Sequence, residues 1–132
     1  MVKYNDILSR AYKAMENAYA PYSNFFVGAC VKTKDGNYFI GANVENASYG
    51  LTNCAERNAI FQAYSNGYRQ DDIEAIAIVG KGNTLITPCG ACRQVLVELL
   101  KRDTSIVLGT KDEVVVTNIE ELMPMSFTSD SL

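Results

Sequence analysis

The most informative absence in this 132-residue chain is histidine, which does not occur once. Any metal site must therefore be built from cysteine, aspartate or glutamate, and a general base cannot be an imidazole. The chain also lacks an apolar run of the roughly 20 residues that a membrane span needs, and its first residues lack the apolar stretch of a signal peptide. We therefore expect a cytoplasmic protein with no membrane segment.

Clustered positive charge is absent as well. The chain has 12 basic and 15 acidic residues, a net charge of −3, and lysines and arginines that never form a stripe. Proteins that bind nucleic acid usually neutralise phosphates with such a stripe, so a small uncharged ligand is the better candidate partner than a polynucleotide. Hydrophobic residues make up 48% of the chain, which predicts one ordinary core in a single domain over residues 1–132.

Hydrophobic periodicity predicts the element order αββαβαββ. The predicted elements are helices over 5–19, 54–64 and 88–101, strands over 25–32, 38–44, 73–79, 105–108 and 113–117, and a last helical turn over 119–123. The run over 73–79 is almost wholly apolar, which is typical of a strand covered on both faces. The fold class that we predict is α/β, a three-layer α/β/α sandwich with a mixed five-stranded sheet.

The cysteines predict a metal site rather than disulfides, because a chain without a signal peptide is not expected to be oxidised. Cys89 and Cys92 lie three residues apart on one face of a predicted helix, and Cys54 stands at the start of the preceding helix. Two helix N-termini aimed at one point would stabilise thiolates. Three thiolates leave a tetrahedral zinc with one open position, which is the mark of a catalytic site.

A carboxylate and a cation accompany the predicted zinc ligands. Glu56 would point away from Cys54 on an ideal helix, but Cys54 at a capping position need not be helical, so both could face one pocket. Glu56 could then exchange protons with a zinc-activated water. Zn²⁺ with three thiolates carries a net charge of −1, and a hydrogen-bonded arginine would offset it. Arg57 and Arg93 are the candidates, of which we favour Arg57.

The motif Cys-Ala-Glu-Arg at 54–57, together with Pro-Cys-Gly-Ala-Cys-Arg-Gln at 88–94, resembles the zinc-dependent cytidine deaminases in their small, three-cysteine, homotetrameric form. Residues 21–29 look like the first-strand motif of that family, and residues 43–49 resemble its ribose-binding segment. The resemblance implies zinc-dependent hydrolytic deamination of cytidine and deoxycytidine to uridine and deoxyuridine, with release of ammonia, in pyrimidine salvage. It also implies one zinc ion per subunit.

The resemblance further implies a role for each matched residue. Zinc would be bound by Cys54, Cys89 and Cys92, protons would be moved by Glu56, and the thiolate charge would be offset by Arg57. Substrate contacts are implied for Phe25 on the pyrimidine, Asn43 and Glu45 on the ribose, the Ala55 backbone on the pyrimidine O2, and Ala47, Tyr49 and Phe127 in the pocket of a neighbouring subunit. Each active site of the homotetramer would then be a shared one.

Several alternatives stay open at this point. Cys89 and Cys92 alone could be a redox pair, and Cys30 as a fourth ligand would make the zinc site structural, although its strand position favours packing. A deaminase of nucleoside-like antibiotics, a polynucleotide editor and a non-catalytic binding module are the other function classes. The ribose segment at 43–46 favours an ordinary ribonucleoside. Cys30 and Asn58 replace residues that are commoner in the family, at positions that we do not expect to touch the ligand chemistry.

Overall fold

The computed structural model describes residues 2–132, which form one five-stranded sheet in the order β2-β1-β3-β4-β5. The helices are α1 (Asn5–Met15), α2 (Ala55–Ser65), α3 (Gly90–Leu99) and α4 (Ile119–Leu122), and the strands are β1 (Val27–Thr33), β2 (Tyr38–Ala42), β3 (Ile73–Gly80), β4 (Ser105–Gly109) and β5 (Val114–Thr117). β3 and β4 run parallel, and the other neighbouring strands are antiparallel. The sheet is therefore mixed, as the sequence predicts.

The sheet lies between two helical layers, because alternate residues of its central strands point to opposite faces. Val31, Ile76 and Ile106 join one core with α2, α3 and α4. Cys30 and Val107 join the other core with α1. The predicted three-layer α/β/α sandwich is confirmed, and β3 at its centre is buried at seven of its eight positions.

Two glycines allow helices to approach the sheet closely. A Cβ atom on Gly28 would lie 2.0 Å from the carbonyl oxygen of Ala11 in α1. A Cβ atom on Gly41 would lie 2.6 Å from both the carbonyl oxygen of Ala55 and the backbone nitrogen of Ala59 in α2. The first turn of α2 is therefore positioned by direct backbone contact with β2.

The end of α1 and the end of β2 differ from the prediction for one shared reason. α1 ends at Met15 rather than near Tyr19, and β2 ends at Ala42 rather than two residues later. The Tyr19 N–H donates to the Asn43 carbonyl at 2.9 Å, and the Glu45 N–H donates to the Tyr19 carbonyl at 2.8 Å. Each segment therefore bonds the other instead of continuing its own element.

The start of α3 also differs. The helix begins at Gly90, because Cys89 is its extended N-cap with φ −66° and ψ 170°. The sequence predicts a start at Pro88 or Cys89, whereas Pro88 precedes the cap and the first helical residue is Gly90. The Cys89 carbonyl still accepts from the Arg93 N–H at 2.9 Å, so Cys89 stands at the N-terminus of α3 with an extended backbone.

The helices of the described chain are short. α1 and α2 contain 11 residues each, and α3 contains 10. Within residues 2–132, no helix combines the length and the apolar character that crossing a membrane requires. The single-domain organisation over residues 1–132 stays a prediction, which the one continuous sheet supports.

Candidate active site

Three cysteines lie at the N-termini of two helices. Cys54 is the N-cap of α2, with φ −79° and ψ 155°, and Cys89 is the N-cap of α3. Cys92 lies in the first turn of α3 and is fully buried. Both caps are extended, and neither side chain caps its own helix. The unpaired N–H groups and the positive end of each helix dipole therefore favour a thiolate at this point.

The three sulfur atoms have the spacing of a zinc site. The Sγ atoms of Cys54, Cys89 and Cys92 all lie within 4.8 Å of one another, and those of Cys54 and Cys89 are 3.7 Å apart. A tetrahedral zinc with Zn–S distances of about 2.3 Å holds its sulfurs about 3.8 Å apart. All three are free thiols, and Cys89 is exposed while Cys92 is buried. The donor set therefore fits a zinc ion that is approached by solvent from one side.

Cys30 does not belong to this group. Its side chain is fully buried between the sheet and α1, on the face opposite to α2 and α3. Burial raises the pKa of the Cys30 thiol to about 12, which leaves it protonated. The alternative of a structural zinc site with Cys30 as the fourth ligand is therefore not supported by the fold.

Hydrogen bonds shift the pKa values of the clustered cysteines in opposite directions. The hydrogen bond from the Cys92 thiol, followed by the one from Arg57, lowers the pKa of Cys54 to about 5. The pKa of Cys92 is raised, because its thiol donates to the Cys54 sulfur and because it is buried. A metal that is bound by these cysteines would replace the thiol protons, because cysteine binds a metal as the thiolate.

Arg57 is the cation that reaches the sulfurs. Its Nη2 atom donates to Cys54 Sγ at 3.4 Å, and within residues 2–132 its Nε atom is buried without a hydrogen-bond partner. The side chain of Arg93 instead donates to the carbonyls of Pro88 and Leu122, at 2.7 Å each. The geometry favours Arg57 over Arg93, in agreement with the preference drawn from the sequence.

Glu56 lies in the first turn of α2 and is only 4% exposed. Burial raises the pKa of its carboxyl group, and the neighbouring charge of Cys54 adds to the effect. Because Cys54 is extended rather than helical, Glu56 and Cys54 line the same cavity. A carboxyl group that holds its proton more readily than usual, beside a metal site, is suited to proton transfer.

The cavity has a volume of about 210 Å³. It brings together seven residues that the sequence singles out, namely Phe25, Asn43, Glu45, Cys54, Ala55, Glu56 and Cys89. The cavity is also lined by five residues that were not predicted as site residues, namely Val27, Thr52, Asn53, Ile86 and Thr87. Four of these lie within two residues of Cys54 or Pro88, so proximity to the ligand motifs is a signal that could have identified them.

Asn43 holds the rim of the cavity together. Its Oδ1 atom accepts from the Val27 N–H at 2.9 Å, and its Nδ2 atom donates to the Phe25 carbonyl at 2.7 Å. These bonds replace strand pairing at Phe25, so β1 begins at Val27, two residues later than predicted. Asn43 retains one N–H that is not used by these two bonds, and it can donate to a ligand.

Glu45 is held by the loop that precedes Phe25. Its carboxylate accepts from the Tyr22 N–H at 2.9 Å, from the Ser23 N–H at 3.2 Å and from the Ser23 hydroxyl. The Ser23 hydroxyl is the main reason that the pKa of Glu45 is lowered. The same Ser23 oxygen accepts from the Phe25 N–H at 3.0 Å. The Ser23 side chain therefore links Glu45 to the backbone of Phe25.

Three predicted substrate contacts do not line this cavity. Ala47 is exposed, Tyr49 is 81% exposed and Phe127 is 59% exposed. Tyr49 instead lines a separate cleft of about 380 Å³ beside Glu45, and the Phe127 carbonyl accepts from Gln94 Nε2 at 2.9 Å. Within the chain these residues do not reach the cysteines, so their roles stay predictions about a neighbouring subunit.

The sandwich fold and the three-thiol group with a buried carboxylate define a zinc-dependent enzyme of the hydrolytic class. Comparison with known protein families makes this specific. Residues 1–110 match the family model described as the cytidine and deoxycytidylate deaminase zinc-binding region. The chain belongs to this family, and the metal that it binds is zinc.

Known proteins extend the likeness to nearly the whole chain. The cytidine deaminase of Halalkalibacterium halodurans is 49% identical over 127 residues, which cover 96% of this chain and 95% of that protein. The crystal structure of cytidine deaminase from Burkholderia pseudomallei is 52% identical and superposes with a TM-score of 0.88. The match covers 92% of this chain and 97% of that one. The crystal structure of cytidine deaminase from Mycobacterium tuberculosis is 36% identical, with a TM-score of 0.82, and the match covers 97% of this chain and 99% of that one.

Proposed function

We propose that this protein catalyses the hydrolytic deamination of cytidine and deoxycytidine to uridine and deoxyuridine, with release of ammonia, as a step of pyrimidine salvage. One observation carries the proposal. Three thiols from two helix N-termini form a group with zinc spacing, and the cavity beside them is lined by the buried Glu56. The family and the relatives support the same reaction.

Zinc, when it is bound by Cys54, Cys89 and Cys92, supplies a Lewis acid that makes water a nucleophile at neutral pH. We assign the proton transfers of the reaction to Glu56. Its carboxylate takes one proton from the attacking water and delivers it to ring N3. It then takes the second proton from the hydroxyl group formed on C4 and delivers it to the amino group, which departs as ammonia. Burial raises the pKa of Glu56, so its carboxyl group holds a transferred proton more readily than an exposed carboxylate does.

We assign to Arg57 the role of offsetting the negative charge of the thiolates. Three thiolates exceed the charge of one zinc ion, and the excess weakens the pull of the metal on water. The hydrogen bond from Arg57 Nη2 to Cys54 Sγ draws electron density away from the sulfur. This role requires that Arg57 affect turnover more than zinc retention, which separates it from a merely structural contact.

The cavity accounts for recognition of a nucleoside. Phe25 is assigned to pack against the pyrimidine, and the Ala55 N–H, which has no partner within its helix, is assigned to donate to the pyrimidine O2. Asn43 and Glu45 are assigned to the ribose. Asn43 offers the N–H that its two framework bonds leave over, and the Glu45 carboxylate accepts from a hydroxyl.

We further propose a homotetramer in which Ala47, Tyr49 and Phe127 reach the pocket of a neighbouring subunit. The support is that three large apolar side chains, those of Tyr49, Leu51 and Phe127, are exposed in the single chain. Removal of residues 127–132 should impair turnover at the neighbouring sites, measured as activity per bound zinc alongside sedimentation. A truncated protein that is monomeric and fully active would reject the shared site.

The cytoplasmic location stays a prediction from the sequence.

The reaction itself is tested by ultraviolet absorbance. Zinc-loaded protein is mixed with cytidine, deoxycytidine, dCMP or cytosine, and loss of the exocyclic amine is followed together with ammonia. We expect both nucleosides to be converted with one ammonia each, and the Glu56→Gln variant with equal zinc content to be nearly inactive. Binding of cytidine without release of ammonia by the zinc-loaded protein would instead indicate a non-catalytic binding module.

A further inference from the structure

We propose that Asn58 is a positioning residue, whose side-chain amide sets the distance between the two walls of the cavity. One wall carries Cys54 and Glu56 on α2, and the other carries Asn43 beyond the end of β2. The inference rests on the proposed function, because it concerns the relative placement of the groups assigned to the ribose and to proton transfer.

The amide of Asn58 bonds both walls at once. Its Nδ2 atom donates to the Ala42 carbonyl at 2.7 Å, and its Oδ1 atom accepts from the Asn53 side-chain amide. Ala42 immediately precedes Asn43, and Asn53 immediately precedes Cys54. One side chain therefore connects the residue before the ribose-facing asparagine with the residue before the first zinc ligand.

The packing of Gly41 limits the same distance from the other direction. A Cβ atom on Gly41 would lie 2.6 Å from two backbone atoms of α2 and 3.0 Å from the Cβ of Asn58. α2 is thus already in backbone contact with β2 and cannot move closer. The hydrogen bond from Asn58 to Ala42 opposes movement apart. Contact and hydrogen bond together limit the separation of the walls at Asn58, beside the backbone hydrogen bonds between Val44 and Asn53 at 2.9 and 3.0 Å.

The chemistry of the two contacts requires a primary amide. A planar amide supplies one donor and one acceptor at the same reach from the backbone. Leucine has a similar shape but neither group, and aspartate has no N–H with which to bond the Ala42 carbonyl. The partners of Asn58 are partly buried, so removal of the amide leaves polar groups unsatisfied and gives α2 a reason to shift.

The test compares Asn58→Leu with Asn66→Leu. Asn66 caps the other end of α2, where its exposed Nδ2 atom donates to the Gln62 carbonyl at 2.8 Å, so the control removes a similar bond from the same helix. Steady-state kinetics with cytidine are normalised to bound zinc. A misplacement of about 1 Å costs up to about 100-fold in rate, so we expect N58L to lower kcat/KM about 10- to 100-fold and to raise KM, and N66L to stay within about twofold.

The split between KM and kcat distinguishes positioning from folding. A merely structural role would lower the fraction of active sites and leave KM and the rate per bound zinc unchanged, and that result would overturn the proposal.

The variant Asn58→Asp provides a second measurement if N58L does not fold. It keeps the oxygen that accepts from Asn53 and removes the N–H that donates to the Ala42 carbonyl. Failure of both variants to fold would make Asn58 a folding residue and would also overturn the proposal. An inactive wild-type protein would reject the proposed function itself, whereas an active wild type with an unaffected N58L rejects this inference alone.

Discussion

The substitution Gly41→Ala tests whether the contact between β2 and α2 positions the active site. The added Cβ would lie 2.6 Å from backbone atoms of Ala55 and Ala59, and ordinary van der Waals contact begins at 3.4 Å. Backbone atoms cannot rotate away as a side chain can. The first turn of α2 must therefore move by about 0.8 Å, and it carries Cys54 and Glu56 with it.

The size of the effect follows from that displacement. Overpacking of this kind costs about 1–3 kcal/mol in the free energy of unfolding, which corresponds to a fall in Tm of roughly 4–12 °C for a chain of this length. A displacement approaching 1 Å at the reacting groups costs about 100-fold in kcat/KM. We therefore expect G41A to lose far more activity than its stability at the assay temperature accounts for.

The assay is deamination of cytidine per bound zinc, measured well below the Tm of each variant. Gly109→Ala is the matched control, because its Cβ would lie 2.7 Å from a methyl group of Leu8, in the layer of α1 on the opposite face of the sheet. G109A should lower Tm and leave kcat/KM within about twofold of the wild type. Equal kcat/KM for G41A and wild type, at equal zinc content, would refute the positioning of the site by this contact.

Three further substitutions test individual groups. Glu56→Gln should lower kcat by about 10²- to 10⁴-fold while zinc content and Tm stay near those of the wild type, and normal turnover would remove Glu56 from the mechanism. Arg57→Gln should leave more charge on the Cys54 sulfur and reduce kcat, measured beside metal content, and an unchanged rate would discard the charge offset. Ser23→Ala should raise the pKa of Glu45 toward its ordinary value, as followed by NMR titration. Because the Glu45 pKa is lowered in the folded state, its ionisation stabilises the fold above the unfolded pKa, and this contribution is lost as the pH falls through the folded pKa. In S23A this contribution should be smaller and its loss should be complete at a higher pH. An unchanged titration would show that Ser23 does not stabilise the carboxylate.

The layers of the fold could be predicted because their signals are local. The apolar run at 73–79 identifies a strand buried on both faces, and the alternation before it identifies the strands of the hairpin. The proximity of the three cysteines was also predictable, because two cysteine motifs stand at predicted helix starts. Cys54 as a non-helical cap explains how Glu56 faces the same cavity, as the sequence analysis required.

The loops around the cavity could not be predicted, because their structure depends on contacts between distant residues. Glu45 is bonded by Ser23, which lies 22 residues earlier, and no periodic pattern connects them. The segment at 43–45 bonds Tyr19 instead of extending β2, a competition that local propensity does not reveal. Helix ends are also the least certain part of any prediction, and Pro88 lies before the cap of α3 rather than inside the helix.

The contacts of Asn58 could not be predicted from the sequence motifs. In the sequence it is a departure from a common residue next to a conspicuous motif, at a position with no expected ligand contact. In the structure its amide bonds Ala42 and Asn53, which lie 16 and 5 residues away along the chain. The importance of such a residue depends on which backbone groups the fold brings within reach, and that information is not contained in the residues beside it.

X-ray absorption at the zinc edge of the purified wild-type protein tests whether Cys54, Cys89 and Cys92 hold zinc with one position open. We expect one zinc ion per chain, with three sulfur neighbours at about 2.3 Å and one oxygen or nitrogen neighbour at about 2.0–2.2 Å. The Glu56→Gln variant should give the same spectrum, because Glu56 is not assigned as a ligand. Four sulfur neighbours, or fewer than three, would contradict a metal held by Cys54, Cys89 and Cys92 with one position open to solvent.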